Sequence, residues 1–91
     1  MTDLASFLSR VEAADVRERA TFHRLVSEGL AVTGVTLEEA AQEFKTAPGT
    51  VSRWKNGHSA PAVFARGTIV RFFRQRADRM ARNQAASKEA L

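Results

Sequence analysis

The chain has no cysteine, only two histidines and two prolines, and no long apolar run. Without cysteine it has neither a disulfide framework nor a thiolate metal site. His23 and His58 lie far apart and share no ligand spacing. Both read as core or surface imidazoles, so neither a metal nor a cofactor is expected. No apolar stretch reaches the length that spans a bilayer, and no membrane contact is expected. Asp3 precedes the first basic residue, the reverse of a secretory leader, which points to the cytoplasm. Carboxylates are plentiful, but none sits on an apolar face in a pocket-like pattern. No nucleophile–base pair stands out either, so no enzymatic activity is expected.

What is present is globular composition. Hydrophobic residues make up 44% of 91 residues, with six Phe and one Trp. That suffices for one modest core in a single domain. The net charge of +4 is unevenly distributed. Residues 1–44 carry four Arg against eight acidic residues, a balance of −4, while residues 45–91 carry ten Lys or Arg against Asp78 and Glu89, a balance of +8. A basic half of this kind gathers a polyanion and speeds the encounter with it. The alternative is a basic tail that only aids solubility.

Apolar spacing predicts helices throughout. Leu4, Phe7, Leu8 and Val11 recur every three or four residues, a helical stripe over Leu4–Val11 with Asp3 as its cap. Asp15 with Glu18 matches a capping box, predicting a second helix from about Val16 to Ala31 with Phe22, Leu25, Val26 and Leu30 on its apolar face. Gly34 is the expected stop, since glycine accepts the left-handed backbone that ends a helix. Thr36 and Glu39 form a further capping-box pair ahead of Leu37, Ala40, Ala41 and Phe44. Pro48 suits the first turn of the next helix, whose Val51 and Trp54 point inward with Ala47. Asn56–Gly57 ends that helix. A last helix is expected from Pro61 or Ala62 to about Arg82. Ile69, Phe73, Ala77 and Met80 form its apolar line, broadened by Phe64, Val70 and Phe72. The domain is therefore placed at residues 1–82, with 83–91 as a frayed tail.

The stretch Leu37–Trp54 carries the functional signal. Two short helices joined by a tight turn must cross steeply, so that the first braces the second. Ala41 supplies the small crossing contact, and Phe44, Val51 and Trp54 supply the plug. The outer face of the second helix then holds Gly49, Thr50, Ser52, Arg53 and Lys55. None is a bulky hydrophobe, and such a face fits a major groove, which admits one helix.

The segment TLEEAAQEFKTAPGTVSRWKNG, Thr36–Gly57, resembles the helix-turn-helix of the phage-repressor-like (lambda-repressor-like, XRE-type) family of bacterial regulators. That resemblance implies an all-α, compact domain of four to five helices. It implies base reading from Pro48, Gly49, Ser52 and Arg53, and phosphate contacts from Thr36, Leu37, Lys55, Asn56 and His58. Lys45 stands where the family usually has its turn glycine, which predicts a different turn geometry. Ala47 stands at the usual cap serine, with Thr46 as the substitute cap. Pro48 and Gly49 replace residues that usually donate side-chain hydrogen bonds.

Residue chemistry adds detail. The fork of Arg53 matches guanine O6 and N7, or else a phosphate. The Thr50 hydroxyl serves either a base or its own helix. Lys45 and Lys55 suit phosphates, which set position more than sequence. Arginines between Arg66 and Arg82 either extend the footprint or cover the helix with their stems. Trp54 reads as core, and Phe72–Phe73 as core or dimer contact. The expected function is sequence-specific double-stranded DNA binding for transcription regulation, as a cytoplasmic, nucleoid-associated homodimer. An architectural or protein-interaction module with weak, non-specific DNA binding is the alternative.

Overall fold

The computed structural model describes residues 3–89. Within them lie α1 (Leu4–Ala13), α2 (Arg19–Thr33), α3 (Leu37–Phe44), α4 (Pro48–Asn56) and α5 (Val63–Glu89), with no strand among the described residues. The fold is all-α, as expected. Its Cα radius of gyration of 13.3 Å matches a domain of about 100 residues packed round one core.

Phe7, Phe22, Val26, Val51 and Phe73 are fully buried and hold the helices together. Helix α4 of the α3–α4 hairpin packs on α2, with Trp54 edge-on to Phe22, and α5 also packs against α2. At that crossing Gly29 lies under the ring of Phe73. A Cβ there would stand 2.7 Å from Phe73 Cγ, so the helices meet at a distance that only glycine permits.

The caps explain most helix boundaries. The Asp3 carboxylate accepts the Ser6 N–H at 2.7 Å, and this bond is the main reason its pKa lies below the ordinary aspartate value. Gly34 ends α2 with φ +70°. The expected Asp15–Glu18 capping box does not form. Asp15 instead accepts the Arg17 N–H and both arms of its guanidinium, at 2.9–3.0 Å. That pairing holds a turn over Asp15–Glu18, and α2 begins only at Arg19.

Helix α5 departs further from expectation. It begins at Val63 and continues past Arg82 to Glu89, while Ala90 and Leu91 of the expected tail lie outside the described residues. Its apolar line through Ile69, Phe73 and Ala77 is the expected one, and the line differs only at its start. Arg66, Ile69, Val70, Phe73 and Ala77 face inward, whereas Phe64 is 89% exposed. Arg66 is the reason. It is only 7% exposed and donates to the carbonyls of Pro61, Val16 and Arg17 at 3.0, 3.3 and 2.9 Å. Its guanidinium also lies over the Phe22 ring. Inward placement of Arg66 goes with Phe64, two residues earlier, turned toward solvent, because helical positions two apart do not share a face.

Candidate nucleic-acid interface

Helix α3 starts on the capping box that the sequence predicts. Thr36 Oγ1 accepts the Glu39 N–H at 3.1 Å, and Glu39 Oε1 accepts the Thr36 N–H at 3.4 Å. The helix ends at Lys45, whose φ of 55° and ψ of 49° are left-handed. The expectation of a different turn geometry is therefore corrected. The lysine adopts the backbone that glycine usually supplies, at a cost of about 1 kcal/mol. Two contacts hold it there. Thr46 N–H reaches back to Ala41 O at 2.9 Å. Phe44 wedges its ring among Trp54, Phe72 and Phe73, with centroids 5.2–6.2 Å apart.

Helix α4 has Pro48 in its first turn and Ala47 as N-cap, with no side-chain cap bond. Thr46 does not serve as the substitute cap. Ala47 is exposed rather than inward, since it lies ahead of the first helical residue in an extended conformation. At the other end Gly57 takes φ +81°, and the His58 N–H closes on Arg53 O at 2.9 Å. His23 adds a cap that the sequence did not advertise. Its Nδ1 lies 2.7 Å from Trp54 O. A carbonyl can only accept, so Nδ1 carries the proton and α2 holds the last turn of α4 from the side. A lone histidine outside any spacing pattern offered no signal of this.

The two faces of α4 separate cleanly. Val51 and Trp54 are buried, and the Trp54 ring packs edge-on to Phe22. Trp54 is core, with no face left for a base. On the opposite side Pro48, Gly49, Arg53, Lys55 and Asn56 are exposed, and Thr50 and Ser52 are half-buried. Gly49, Ser52, Arg53 and Asn56 fall on one stripe at three- and four-residue spacing. The Arg53 guanidinium bonds Thr50 Oγ1 at 3.3 Å, and Asn56 Nδ2 bonds Ser52 Oγ at 3.4 Å. These exposed bonds are long and break at little cost when a stronger acceptor arrives.

The expected phosphate residues fall into two groups. Leu37 and Lys55 line one shallow groove between α2 and the hairpin, so the start of α3 lies beside the end of α4, near Asn56 and His58. Lys45 stands apart, at the turn between the two helices. Leu37 packs its side chain on the core and can offer only its backbone. The Thr36 hydroxyl and N–H are both engaged by Glu39, and exposed Glu38 adds a second carboxylate to that first turn.

The arginines of α5 are not equivalent. Arg66 belongs to the core and is removed from any footprint. Arg74 reaches Glu12 at 3.7 Å and Arg82 pairs with Asp78 at 3.0 Å, while Arg76 lies over the Phe72 ring. Phe72 is half-buried and Phe73 fully buried, so most of the pair's surface is committed within the chain. No helix among the described residues is long and apolar enough to cross a membrane.

No family model matches the chain, and no curated protein or solved structure matches it. The structure is a compact all-α domain, in which the short helices α3 and α4 are consistent with a helix-turn-helix.

Proposed function

We propose that the chain is a sequence-specific, double-stranded DNA-binding transcriptional regulator of the phage-repressor-like, XRE-type kind, placing α4 in the major groove. One observation carries the reading: α4 is braced from behind by buried Val51 and Trp54, yet its outer face is exposed, polar and free of large apolar side chains. Arg53 is the base-reading residue, assisted by Ser52, Thr50 and the close backbone approach that Gly49 allows. Lys45, Lys55, Asn56, His58 and the start of α3 at Thr36–Leu37 position the backbone. The protein acts as a homodimer on paired half-sites, in the cytoplasm with the nucleoid, and performs no catalysis.

Two observations favour a second reading. Pro48 and Gly49, at the end of α4 that enters the groove first, carry no side-chain donor. Glu38 and Glu39 also place negative charge beside the expected phosphate. Both fit an architectural protein that binds weakly without sequence preference.

Selection from random duplexes separates the two readings, followed by titration of the winner at two salt concentrations. A regulator shows a preference of order 1,000-fold over a scrambled duplex. Arg53→Ala then costs about 1–3 kcal/mol at one position of the site. Equal binding to all duplexes, lost steeply with salt, supports the architectural reading. Absence of binding at low salt refutes both.

A further inference from the structure

The α3–α4 hairpin is electrically neutral. Residues 36–57 carry Lys45, Arg53 and Lys55 against Glu38, Glu39 and Glu43, a balance of zero. Helix α5 carries six Arg and Lys88 against Asp78 and Glu89, a balance of +5. Affinity for a nucleic-acid backbone comes from cations that displace its condensed counterions. The hairpin has no surplus cation for this, whereas α5 has several.

Burial and ion pairing narrow the choice among them. Arg66 is buried, and Arg74 and Arg82 face carboxylates at 3.7 and 3.0 Å. Arg71 shares its groove with Glu12 and Asp78. Arg76 and Arg79 join no ion pair among the described residues. They follow Phe72 at four- and three-residue spacing, so all three share one stripe of α5. That stripe starts beside the turn between α3 and α4. The Phe72 ring lies edge-on to that of Phe44, the last residue of α3, with centroids 5.2 Å apart, and exposed Lys45 follows Phe44. Phe72, Arg76 and Arg79 line one groove with Gln75 and Glu43. The Arg76 guanidinium lies 5.4 Å over the Phe72 ring, which holds a cation in place before anything binds.

We infer that Lys45, Arg76 and Arg79 form a phosphate-binding strip that carries DNA affinity independent of sequence. The inference rests on the reading of the protein as a DNA binder and separates its two tasks. Helix α4 reads bases, and the strip supplies the charge that the neutral hairpin lacks. Arg76 and Arg79 stand about 4.5 Å apart along the helix axis, and their long side chains spread to neighbouring phosphates of one strand. A protein partner would need an apolar centre to the contact, and the ring at this one, Phe72, is already packed on Phe44 and Phe73. Phosphates need none.

Equilibrium binding from about 50 to about 200 mM salt, the range over which phosphate contacts are lost, tests the strip. The full chain is titrated with a duplex bearing one selected half-site and with a scrambled duplex. Arg76→Gln/Arg79→Gln lowers the slope of log affinity against log salt by about 2 on both duplexes. Across that range the double variant therefore loses roughly tenfold less affinity than the parent. The preference between the duplexes is unchanged, whereas Arg53→Ala reduces it. Arg79→Gln alone lowers the slope by about 1. Arg79 is exposed, so this variant melts with the parent and shows that the fold persists. Arg74→Gln removes the same charge away from the strip and changes the slope less. A parent that binds with an Arg53-dependent preference while the double variant keeps the parental slope overturns this inference alone and leaves the DNA reading standing. An equal loss of slope in Arg74→Gln and Arg79→Gln also overturns it, because net charge then replaces contact. A parent that binds both duplexes equally, with the slope still lowered in the double variant, supports the strip and refutes sequence-specific reading. No binding of the parent to either duplex at low salt overturns both.

Discussion

Substituting Gly29 by alanine separates helix propensity from packing. In an ordinary helix interior this change stabilises by about 1 kcal/mol, because alanine loses less backbone entropy. At Gly29 the new methyl would stand 2.7 Å from Phe73 Cγ and 2.9 Å from both Cβ and Cδ1. Carbon atoms at rest sit about 3.5–4.0 Å apart, so α2 and α5 must separate or Phe73 must move. The contacts fall at the root of the Phe73 side chain, which is fully buried and packed on Phe44 and Phe72. It has no room to swing, and the overpacking cost falls at the upper end of the usual range, about 3 kcal/mol. The net expectation is a loss of about 2 kcal/mol. Thermal melting reads this as a fall of the order of 10 °C for a chain of this length. Gly67→Ala is the control. It is helical and exposed, with open space around the new methyl, so the same substitution raises stability by about 1 kcal/mol. Melting both variants at a concentration where the protein is monomeric gives shifts of opposite sign. A Gly29→Ala protein as stable as the parent, or more so, refutes the close crossing of α2 and α5.

Other substitutions test separate elements. Lys45→Gly relieves the left-handed lysine and raises stability by up to about 1 kcal/mol in denaturant melts. On the proposed function it also removes one phosphate contact and lowers the salt slope of DNA binding by about 1. A stability gain without a change in slope places Lys45 off the DNA. Thr36→Ala breaks the capping box of α3 and costs about 1 kcal/mol, measured by the same melts, while a neutral result contradicts the box. Arg66→Gln strands some of the carbonyls of Pro61, Val16 and Arg17 and costs about 2–3 kcal/mol. A loss below about 0.5 kcal/mol, as at ordinary surface sites, would show that Arg66 is not the clasp described above.

Elements defined by local chemistry were legible in the sequence. The Thr36–Glu39 box, Gly34 and Gly57 as stops, Pro48 in a first turn and the inward pair Val51–Trp54 each depend on residues within one or two turns. Periodicity and capping rules act over that range, which is why α3, α4 and the exposed face carrying Ser52 and Arg53 follow from sequence alone. Three features depended on distant partners. Lys45 keeps a left-handed backbone because Phe44 is wedged against α4 and α5. Its own propensity argues the other way. Arg66 sits inside the core because the carbonyls of Val16, Arg17 and Pro61 converge on its guanidinium, and that reverses the expected burial of Phe64. Gly29, a weak point by propensity, is required by the ring of Phe73 across the helix crossing. Sequence by itself determined the helices and the polar face of α4, since short-range hydrogen bonds and apolar spacing decide both. Only the tertiary structure decided that Arg66 and not Phe64 turns inward at the start of α5, because the carbonyls of Val16 and Arg17 that hold the buried cation lie about fifty residues away, where no local pattern in α5 encodes them.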